Sequence, residues 1–582
     1  MLEDLLNSAI HKAVHKLYHI DDFKPTLEKT PSHFEGDFTL VVFPLLRFSK
    51  KNPEITAKEI GNELLNNSTL IEQFDTVKGF LNLTIKNHKL YEAAWQHSIE
   101  NIKQLAPKHS TYLIEYSSPN TNKPLHLGHI RNNLLGYSVS KILTEIGYDV
   151  KTIQIINDRG IHICKSMLAW QLFGDDETPK SSGIKGDHFV GKFYVEYEKQ
   201  YQIEIKSLIK SGLSKDEAET QSTLNQAVQK MLRNWEKGDP DTISLWKKMN
   251  QWVYDGFEQT YQRLGVHFNK NYYESNTYIL GKKVIAEGLK KGIFYKKSDG
   301  SVWIDLTKEG LDEKILLRSD GTSVYITQDI GTAIERYQDF AFNSMIYTVA
   351  DEQDYHFKVL FLILKRLGYP WAERCHHLSY GMVTLPSGKM KSREGTVVDA
   401  DDLMDKMEQS AADIAVARGR QEPNDTLNKI IGHGALKFQL LKVDPKKTVM
   451  FDPKESIDFH GKTGPFIQYT YARIQSLIKK YNHECNYPKK PQPMLDIERK
   501  VIKKCLDYHN QLFSSAHNRN PSILANYLYD LAKNYNNYYH ETPILQEKSE
   551  EIRAFRMALS QRVANIIDKT ASMLGITMPE TM

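Results

Sequence analysis

The stretch TYLIEYSSPNTNKPLHLGHIRNNLLGYSVSKILTEIGYDVKTIQIIND, residues 111–158, decides the fold. Its opening, TYLIEYSS, is apolar and β-branched enough for a buried parallel strand, and VKTIQIIND predicts a second strand. Between them, apolar residues recur at helical spacing until Gly147. Strand, loop, helix and strand form one turn of a doubly wound parallel sheet, in which ligands lie at the carboxyl ends of the strands.

The loop of this unit ends in HLGH, residues 126–129. We expect the helix to begin near Leu127, so that both histidines lie at its N-terminus, where free amides and the helix dipole favour an anion. Imidazoles can donate hydrogen bonds to phosphate oxygens, and Gly128 would let a nucleotide lie against the backbone. The helical zinc-protease motif needs another spacing and a glutamate beside its first histidine, so zinc is not expected. Taken alone, HLGH is also compatible with a structural role.

A second candidate segment, LPSGKMKSREGTVVDADDL, spans residues 385–403. Two glycines flank the cations Lys389, Lys391 and Arg393, a pattern that suits a basic loop closing over polyphosphate. It is not a P-loop, because Met390 stands where that motif needs Ser or Thr. As an isolated charge run it is more typical of a solvated loop.

The remaining patterns predict three domains. Residues 1–108 combine helical and strand-like patterns and predict an N-terminal α+β domain. Residues 109–425 predict an α/β domain, a doubly wound parallel (Rossmann-like) catalytic domain with a helical insertion at about 175–270. We expect its sheet-like segments to resume at SVYITQDI, residues 323–330. Residues 426–582 carry apolar residues at three-and-four spacing and predict a C-terminal all-α helical bundle.

Composition restricts the class of protein. At 582 residues the chain is too long for a single core, and no apolar run reaches the ~20 residues of a membrane span. Acidic residues stand where a signal peptide would be basic, so we expect a cytoplasmic protein with no membrane attachment. Residues 421–582 hold 23 Lys and Arg against 17 Asp and Glu, together with ten tyrosines. That mixture suits an RNA-facing surface, and equally a packed bundle with solvated lysines.

The four cysteines give no sign of a metal site. They form no CxxC pair, which favours reduced thiols. Cys375 precedes His376 and His377, which could ligate a metal, but no second ligand pair accompanies them. A short polar turn before a strand is the preferred interpretation, and no metal ligand is predicted.

Together, HLGH and KMKSR resemble HIGH and KMSKS, the signature pair of class I aminoacyl-tRNA synthetases, in the expected order. Within that class the chain resembles arginyl-tRNA synthetases. The supporting segments are EYSSPNTNKPLHLGHIRN (115–132), YITQDIGTAIERY (325–337), IYTVADEQDYH (346–356), KMKSREGTVV (389–398) and FIQYTYARI (466–474). The last opens a helical anticodon-binding domain in this family. The resemblance covers nearly the whole chain, including an N-terminal domain that touches the corner of the tRNA in the family.

The resemblance implies a ligase that joins L-arginine to tRNA(Arg). The arginine carboxylate attacks the α-phosphate of ATP, which arrives with Mg2+, and pyrophosphate leaves before arginine passes to the 3′ end of the tRNA. No side chain acts as a nucleophile, so catalysis depends on alignment and on stabilising charge at phosphate oxygens. By this resemblance, His126 and His129 suit the α-phosphate, and Lys389, Lys391 and Arg393 suit the leaving pyrophosphate. The resemblance also places Gly128, Met390 and Ser392 in the ATP site, and it implies a monomer without zinc.

Arginine selection requires carboxylates that can meet a planar guanidinium. By position in the family's motifs, Glu115 and Asp329 are the candidates, and Tyr325 offers its hydroxyl group. Asn120 and Gln353 would hold the α-amino and carboxylate end of the substrate. A plainer interpretation makes Tyr325 and Asp329 ordinary strand-end residues.

One departure from the family pattern concerns the basic motif. Ser392 stands where KMSKS has its second lysine, and Glu394 adds an opposing charge. We hypothesise that Lys123, three residues before His126, supplies the missing cation, with Lys391 as the rival.

Two other functions remain open from the sequence. A nucleotidyltransferase of the same superfamily would share an HxGH motif, but the long helical C-terminal region argues against it. An RNA-binding relative without catalysis would not need His126, His129, Glu115 and Asp329.

Overall fold

The computed structural model describes residues 2–31, 33–96, 110–386, 398–419, 422, 424–485 and 494–582. Among these residues, no helix is both long and apolar enough to cross a membrane.

The N-terminal part is an antiparallel sheet covered by helices. Its elements are α1 (Leu2–Tyr18), β1 (Leu27–Lys29), β2 (Phe38–Val41), α2 (Leu46–Ser49), α3 (Pro53–Asn67), β3 (Ile71–Val77), β4 (Phe80–Ile85) and α4 (Asn87–Gln96). The strands pair in the order β1-β2-β4-β3. Leu6, Ile10 and Val14 on one face of α1 are fully buried. The predicted α+β fold is therefore confirmed.

The next unit follows the predicted strand, loop, helix and strand, and an inserted helical segment comes after it. Its elements are β5 (Thr111–Glu115), α5 (Leu127–Glu145), β6 (Asp149–Ile156), α6 (Ile161–Phe173), α7 (Pro179–Ser182), α8 (Gly186–Lys210), α9 (Lys215–Gln221), α10 (Thr223–Lys237), α11 (Pro240–Leu264) and β7 (Lys270–Tyr273). Because β7 pairs in parallel with β6, the helices α7 to α11 form an insertion between neighbouring strands of one sheet.

The chain then forms a small antiparallel sheet before it returns to the parallel one. The elements are α12 (Glu274–Thr277), α13 (Gly281–Lys290), β8 (Tyr295–Lys296), β9 (Val302–Ile304), β10 (Lys314–Leu317), α14 (Tyr325–Phe340), β11 (Ser344–Ala350), α15 (Asp354–Arg366) and β12 (Cys375–Tyr380). The segment SVYITQDI, expected to be sheet-like, forms the start of helix α14 instead. The prediction was wrong because Ile326, Ile330 and Ala333 bury one helical face there.

The five-stranded parallel sheet has the order β12-β11-β5-β6-β7. Both of its faces are covered: Leu113 and Met345 belong to one hydrophobic core, and their neighbours Ile114 and Ile346 belong to another. The chain continues from β5 to β6 on one side and comes back to β11 on the other. A crevice at the carboxyl end of β5 follows from this reversal of strand order.

The C-terminal part is helical apart from two very short strands. Its elements are β13 (Val383–Thr384), α16 (Ala400–Ala417), α17 (Asp425–Leu441), β14 (Val449–Met450), α18 (Pro453–Ser456), α19 (Gly464–Tyr481), α20 (Asp496–Leu506), α21 (Tyr508–Asn518), α22 (Pro521–Glu541) and α23 (Glu550–Met573). The parallel pair β13–β14 was not predicted. The predicted helical bundle is confirmed, whereas the domain boundaries at residues 108 and 425 stay predictions.

Candidate active site

A cavity of about 870 Å3 opens at the carboxyl ends of β5 and β6. Five predicted site residues line it: Asn120, Lys123, His126, Tyr325 and Asp329. The loop after β5 forms one wall, helix α14 forms another, and helix α8 of the insertion closes a third side. The structure therefore brings together residues that stand about 200 positions apart in the chain.

The two histidines of HLGH hold one another at the N-terminus of α5. The backbone N–H of His126 donates to Nδ1 of His129 at 3.2 Å, and the N–H of Gly128 donates to Nδ1 of His126 at 3.1 Å. Their ring centroids are 3.9 Å apart. Since both Nδ1 atoms accept hydrogen bonds, the proton of each neutral imidazole resides on Nε2, which is left as a donor.

Electrostatics keep both imidazoles neutral. Burial, with the charge of Lys123, lowers the pKa of His126 to about 4. Burial, followed by the charges of His126 and Lys123, lowers the pKa of His129 well below its ordinary value. His126 lines the cavity, whereas His129 lies against its ring and is not among the lining residues. At neutral pH the pair offers hydrogen-bond donors without positive charge.

Gly128 has a role that the sequence did not indicate. A Cβ atom at this position would stand 3.0 Å from Cε1 and 3.1 Å from Nδ1 of the His126 ring. Such a contact is closer than most Cβ atoms tolerate, so a side chain here would require the imidazole to shift by a few tenths of an ångström. The absence of a side chain at Gly128 therefore leaves space for the His126 ring.

Lys123 faces the same cavity, beside His126. Burial lowers the pKa of its ammonium group. Helix α8 packs tightly on this part of the loop, because a Cβ atom on Gly191 would lie 2.9 Å from Cδ of Pro124. The position agrees with the hypothesis that Lys123 offers a cation to a phosphate.

The basic segment Lys389, Met390, Lys391, Ser392 and Arg393 lies outside the described residues. The residues that follow the segment are tied to HLGH through the backbone. Leu127 N donates to Val398 O at 3.1 Å, and Ala400 N donates to Leu125 O at 3.0 Å.

The predicted arginine ligands divide into two groups. Asn120, Tyr325 and Asp329 line the cavity, with Tyr325 76% exposed. Contrary to expectation, Glu115 and Gln353 do not line it. Glu115 is buried and ion-paired with Arg336, so its carboxylate has an internal cation as partner. Gln353 is exposed in the turn after β11.

Sequence reasoning missed a carboxylate in the cavity. Glu274 directly follows β7, at the same carboxyl edge of the sheet as HLGH. Burial raises its pKa to about 7; Arg159 opposes this shift, and Asp158 and Asp329 add to it. The position after a parallel strand was the available signal, but β7 has only four residues and no motif marks it.

Arg159 was also missed. Its guanidinium stacks on Tyr278 at 3.9 Å from the ring centroid and pairs with Glu236 at 3.3 Å. It lines the cavity and adds a fixed positive charge beside Glu274.

Asp187, His188 and Asp401 form a cluster with donor atoms close enough for a metal ion. An ammonium group already occupies it. Lys185 Nζ donates to Asp187 Oδ2 at 3.0 Å, to Asp401 Oδ2 at 2.7 Å and to Thr260 Oγ1 at 2.6 Å. We therefore interpret the cluster as an internal ion-pair network.

The parallel sheet with its switch at β5, together with HLGH at the N-terminus of α5, defines the catalytic fold of class I aminoacyl-tRNA synthetases. Family comparison agrees. Residues 94–452 match the model described as tRNA synthetases class I (R), catalytic domain. Residues 2–85 match the arginyl tRNA synthetase N terminal domain, and residues 467–582 match the DALR anticodon binding domain. The chain belongs to the arginyl-tRNA synthetase family.

Individual relatives support this membership along the full length. The chain is 51% identical to the arginine–tRNA ligases of Flavobacterium psychrophilum and Porphyromonas gingivalis, covering 100% of this chain and of each relative. Among solved structures it is similar to Thermus thermophilus arginyl-tRNA synthetase, with a TM-score of 0.81, 24% identity and 100% coverage of both chains. The Plasmodium falciparum arginyl-tRNA synthetase gives a TM-score of 0.77 at 16% identity, covering 100% of this chain and 99% of the other. These two structures show the shared fold.

Proposed function

We propose that this chain is an arginine–tRNA ligase. It activates L-arginine with ATP to arginyl-adenylate and pyrophosphate, and then transfers arginine to the 3′ end of tRNA(Arg). The observation that supports this best is one cavity with the neutral imidazole of His126 on one wall and the carboxylate of Asp329 on another. A triphosphate needs hydrogen-bond donors and a guanidinium needs a carboxylate, and the two groups have to lie close together in one site.

In the first step a carboxylate oxygen of arginine attacks the α-phosphorus of ATP. A new P–O bond forms, the bond between the α- and β-phosphates breaks, and pyrophosphate leaves with the electron pair. His126 donates from Nε2 to an α-phosphate oxygen, and His129 fixes the backbone of His126 and adds a second donor. Because both imidazoles are neutral, they need no proton transfer to stabilise the developing charge.

Positive charge for the leaving pyrophosphate comes from Lys123 and from the basic segment. We assign Lys389, Lys391 and Arg393 to the β- and γ-phosphates, with Met390 and Ser392 against the nucleotide. Mg2+ enters bound to ATP, as part of the substrate. Lys123 stands in for the lysine that Ser392 replaces.

Arginine lies with its guanidinium toward Asp329 and Glu274. The two carboxylates interact electrostatically and line the same cavity. Tyr325 offers its hydroxyl group from the first turn of α14, and Asn120 takes the α-amino and carboxylate end. In this proposal Glu115 supports the site indirectly: its ion pair with Arg336 keeps that charged residue of α14 buried against the sheet.

The second step implies tRNA(Arg) as the partner. We further propose that the protein works as a monomer in the cytoplasm, with the N-terminal domain on the corner of the tRNA and the C-terminal helices on its anticodon.

Pyrophosphate exchange measured with each of the twenty amino acids, with and without tRNA, tests the proposal. We expect arginine to be the one amino acid of the twenty that supports exchange, and only when tRNA is present. Exchange with any other amino acid as the preferred substrate, or none with arginine plus tRNA, refutes the assignment.

A further inference from the structure

Asp329 is held from outside the cavity by one histidine. Nε2 of His356 lies 2.6 Å from Oδ2 of Asp329. His356 is the one hydrogen-bond partner of this carboxylate among the residues that the structure describes. The imidazole side chain is 26% exposed and is not part of the cavity wall, whereas the Asp329 side chain is 41% exposed and is part of it.

The position of His356 is fixed by the sheet. It lies in the first turn of α15, which begins four residues after β11 ends. The next residue, Phe357, is buried with its ring centroid 4.4 Å from that of His377 and 5.0 Å from that of Tyr347. His377 in turn donates from Nε2 to Val349 O at 3.0 Å. These contacts attach the first turn of α15 to two neighbouring strands.

The contact with His356 occupies one carboxylate oxygen of Asp329 and leaves the other oxygen for a ligand. A carboxylate can only accept, so Nε2 of His356 carries the proton and donates to Oδ2. Oδ1 has no partner among the described residues and remains free for a ligand in the cavity. A half-exposed aspartate without such an anchor would have rotamer freedom to lose when it binds a guanidinium.

We propose that His356 is a positioning residue for arginine recognition, which orients Asp329 so that one oxygen faces the guanidinium. This inference rests on the proposed function, because it takes Asp329 as an arginine ligand. It predicts that His356 affects the binding of arginine and leaves that of ATP alone.

Steady-state kinetics of the full-length protein with tRNA test the inference. We expect His356→Ala to raise KM for arginine about tenfold, the scale of one lost hydrogen bond to a charged group, with KM for ATP and the thermal midpoint unchanged. His356→Gln places an amide N–H near the position of Nε2, so it should stay within about twofold of the wild type. A His356→Gln variant as impaired as His356→Ala overturns the inference, as does an increase in both KM values.

A double variant shows whether the effect passes through Asp329. In an Asp329→Asn background, His356→Ala should cause no further increase in KM for arginine, whereas additive effects overturn the inference. Tyr355→Phe is the matched control. Tyr355 lies on the same turn of α15 as His356, but its Oη donates to Asp312 Oδ2, at 3.1 Å, and not to Asp329. An equal increase in KM in this control would assign the effect to the whole turn and also overturn the inference.

These results are separable from the proposed function. Arginine-dependent exchange by the wild type, and a raised KM for arginine in Asp329→Asn, test the function itself. Only the His356 variants, alone and combined with Asp329→Asn, test the positioning role.

Discussion

At the scale of single residues, the open question is whether Lys123 or Lys391 replaces the lysine that is missing from the basic motif. We expect Lys123→Ala to slow arginine-dependent pyrophosphate exchange about 100-fold, because a cation facing transition-state charge is worth about 3 kcal/mol in a desolvated site. Lys391→Ala should slow it about fivefold. Lys192→Ala is the control, because Lys192 lines the same cavity but is paired with Glu177 at 2.8 Å. Loss of exchange in Lys391→Ala with full exchange in Lys123→Ala would assign the missing cation to Lys391.

Glu274 should give arginine binding a pH dependence if it faces the substrate as proposed. Its pKa is raised to about 7, so the side chain changes from carboxylic acid to carboxylate as the pH rises through neutrality. A carboxylate attracts guanidinium more strongly, and KM for arginine should therefore fall between about pH 6 and about pH 8. Glu274→Gln should have a higher KM with a flatter pH profile. The same slope in wild type and variant would exclude Glu274 from the arginine site.

The residues that line the cavity were predicted from sequence where a motif marked them, and their roles stay predictions. Lys123 and His126 follow the strand that opens the sheet, and the family pattern marked Tyr325 and Asp329. The role of Glu115 as an arginine ligand stays a prediction. Its carboxylate does not line the cavity and pairs with Arg336 from a distant helix, and no local pattern reveals such a pair. An ion pair between remote residues is a property of the tertiary structure alone.

At the scale of elements, α14 shows why spacing was not enough. Residues four apart, such as Tyr325 and Asp329, share a face in a strand and in a helix alike. The β-branched residues of VYITQ favour a strand, yet the apolar repeat through Ile330 and Ala333 is helical and decides the outcome. The helix brings the two side chains one turn apart, close enough for a single substrate.

Helix α5 is tied to the C-terminal part by Arg131, two residues after HLGH. Its fully buried guanidinium donates to the carbonyl oxygens of Met382 at 3.3 Å, Pro445 at 3.0 Å and Lys447 at 2.8 Å. Arg131→Met removes these hydrogen bonds. Lys447 O then loses its donor, whereas Met382 O and Pro445 O keep backbone donors. We expect a loss of about 3 kcal/mol in the free energy of unfolding, measured by urea denaturation.

Two variants control this result. Arg131→Lys should recover less than half of the loss, because one ammonium nitrogen cannot span carbonyls from two segments. Arg553→Met removes a half-buried guanidinium that donates to a single carbonyl oxygen, that of Glu547, and should cost under about 1 kcal/mol. Equal stability of Arg131→Met and wild type would show that Arg131 does not stabilise the contact between α5 and the C-terminal part.

At the scale of the whole molecule, Asp37 joins the N-terminal domain to the C-terminal helices. Its buried carboxylate is paired with Arg499 and, at 2.7 Å, with Lys503, both on α20. Oδ2 also accepts from Ile85 N at 2.7 Å. The sequence predicted both domains but not this contact, because hydrophobic periodicity locates elements and does not say which charges meet across domains.

Replacing Asp37 should loosen that contact. Asp37→Ala leaves Arg499, which is 15% exposed, without its carboxylate, and breaking a buried pair on one side costs about 3 kcal/mol. Hydrogen exchange should therefore quicken in β4 and α20 together, and KM for tRNA should rise while KM for arginine stays constant. Asp21→Ala is the matched control within the same domain, because its pairing with His15 is largely exposed. Faster exchange in β4 alone would mean that Asp37 stabilises only its own sheet, and the two domains are then held together by their apolar contacts.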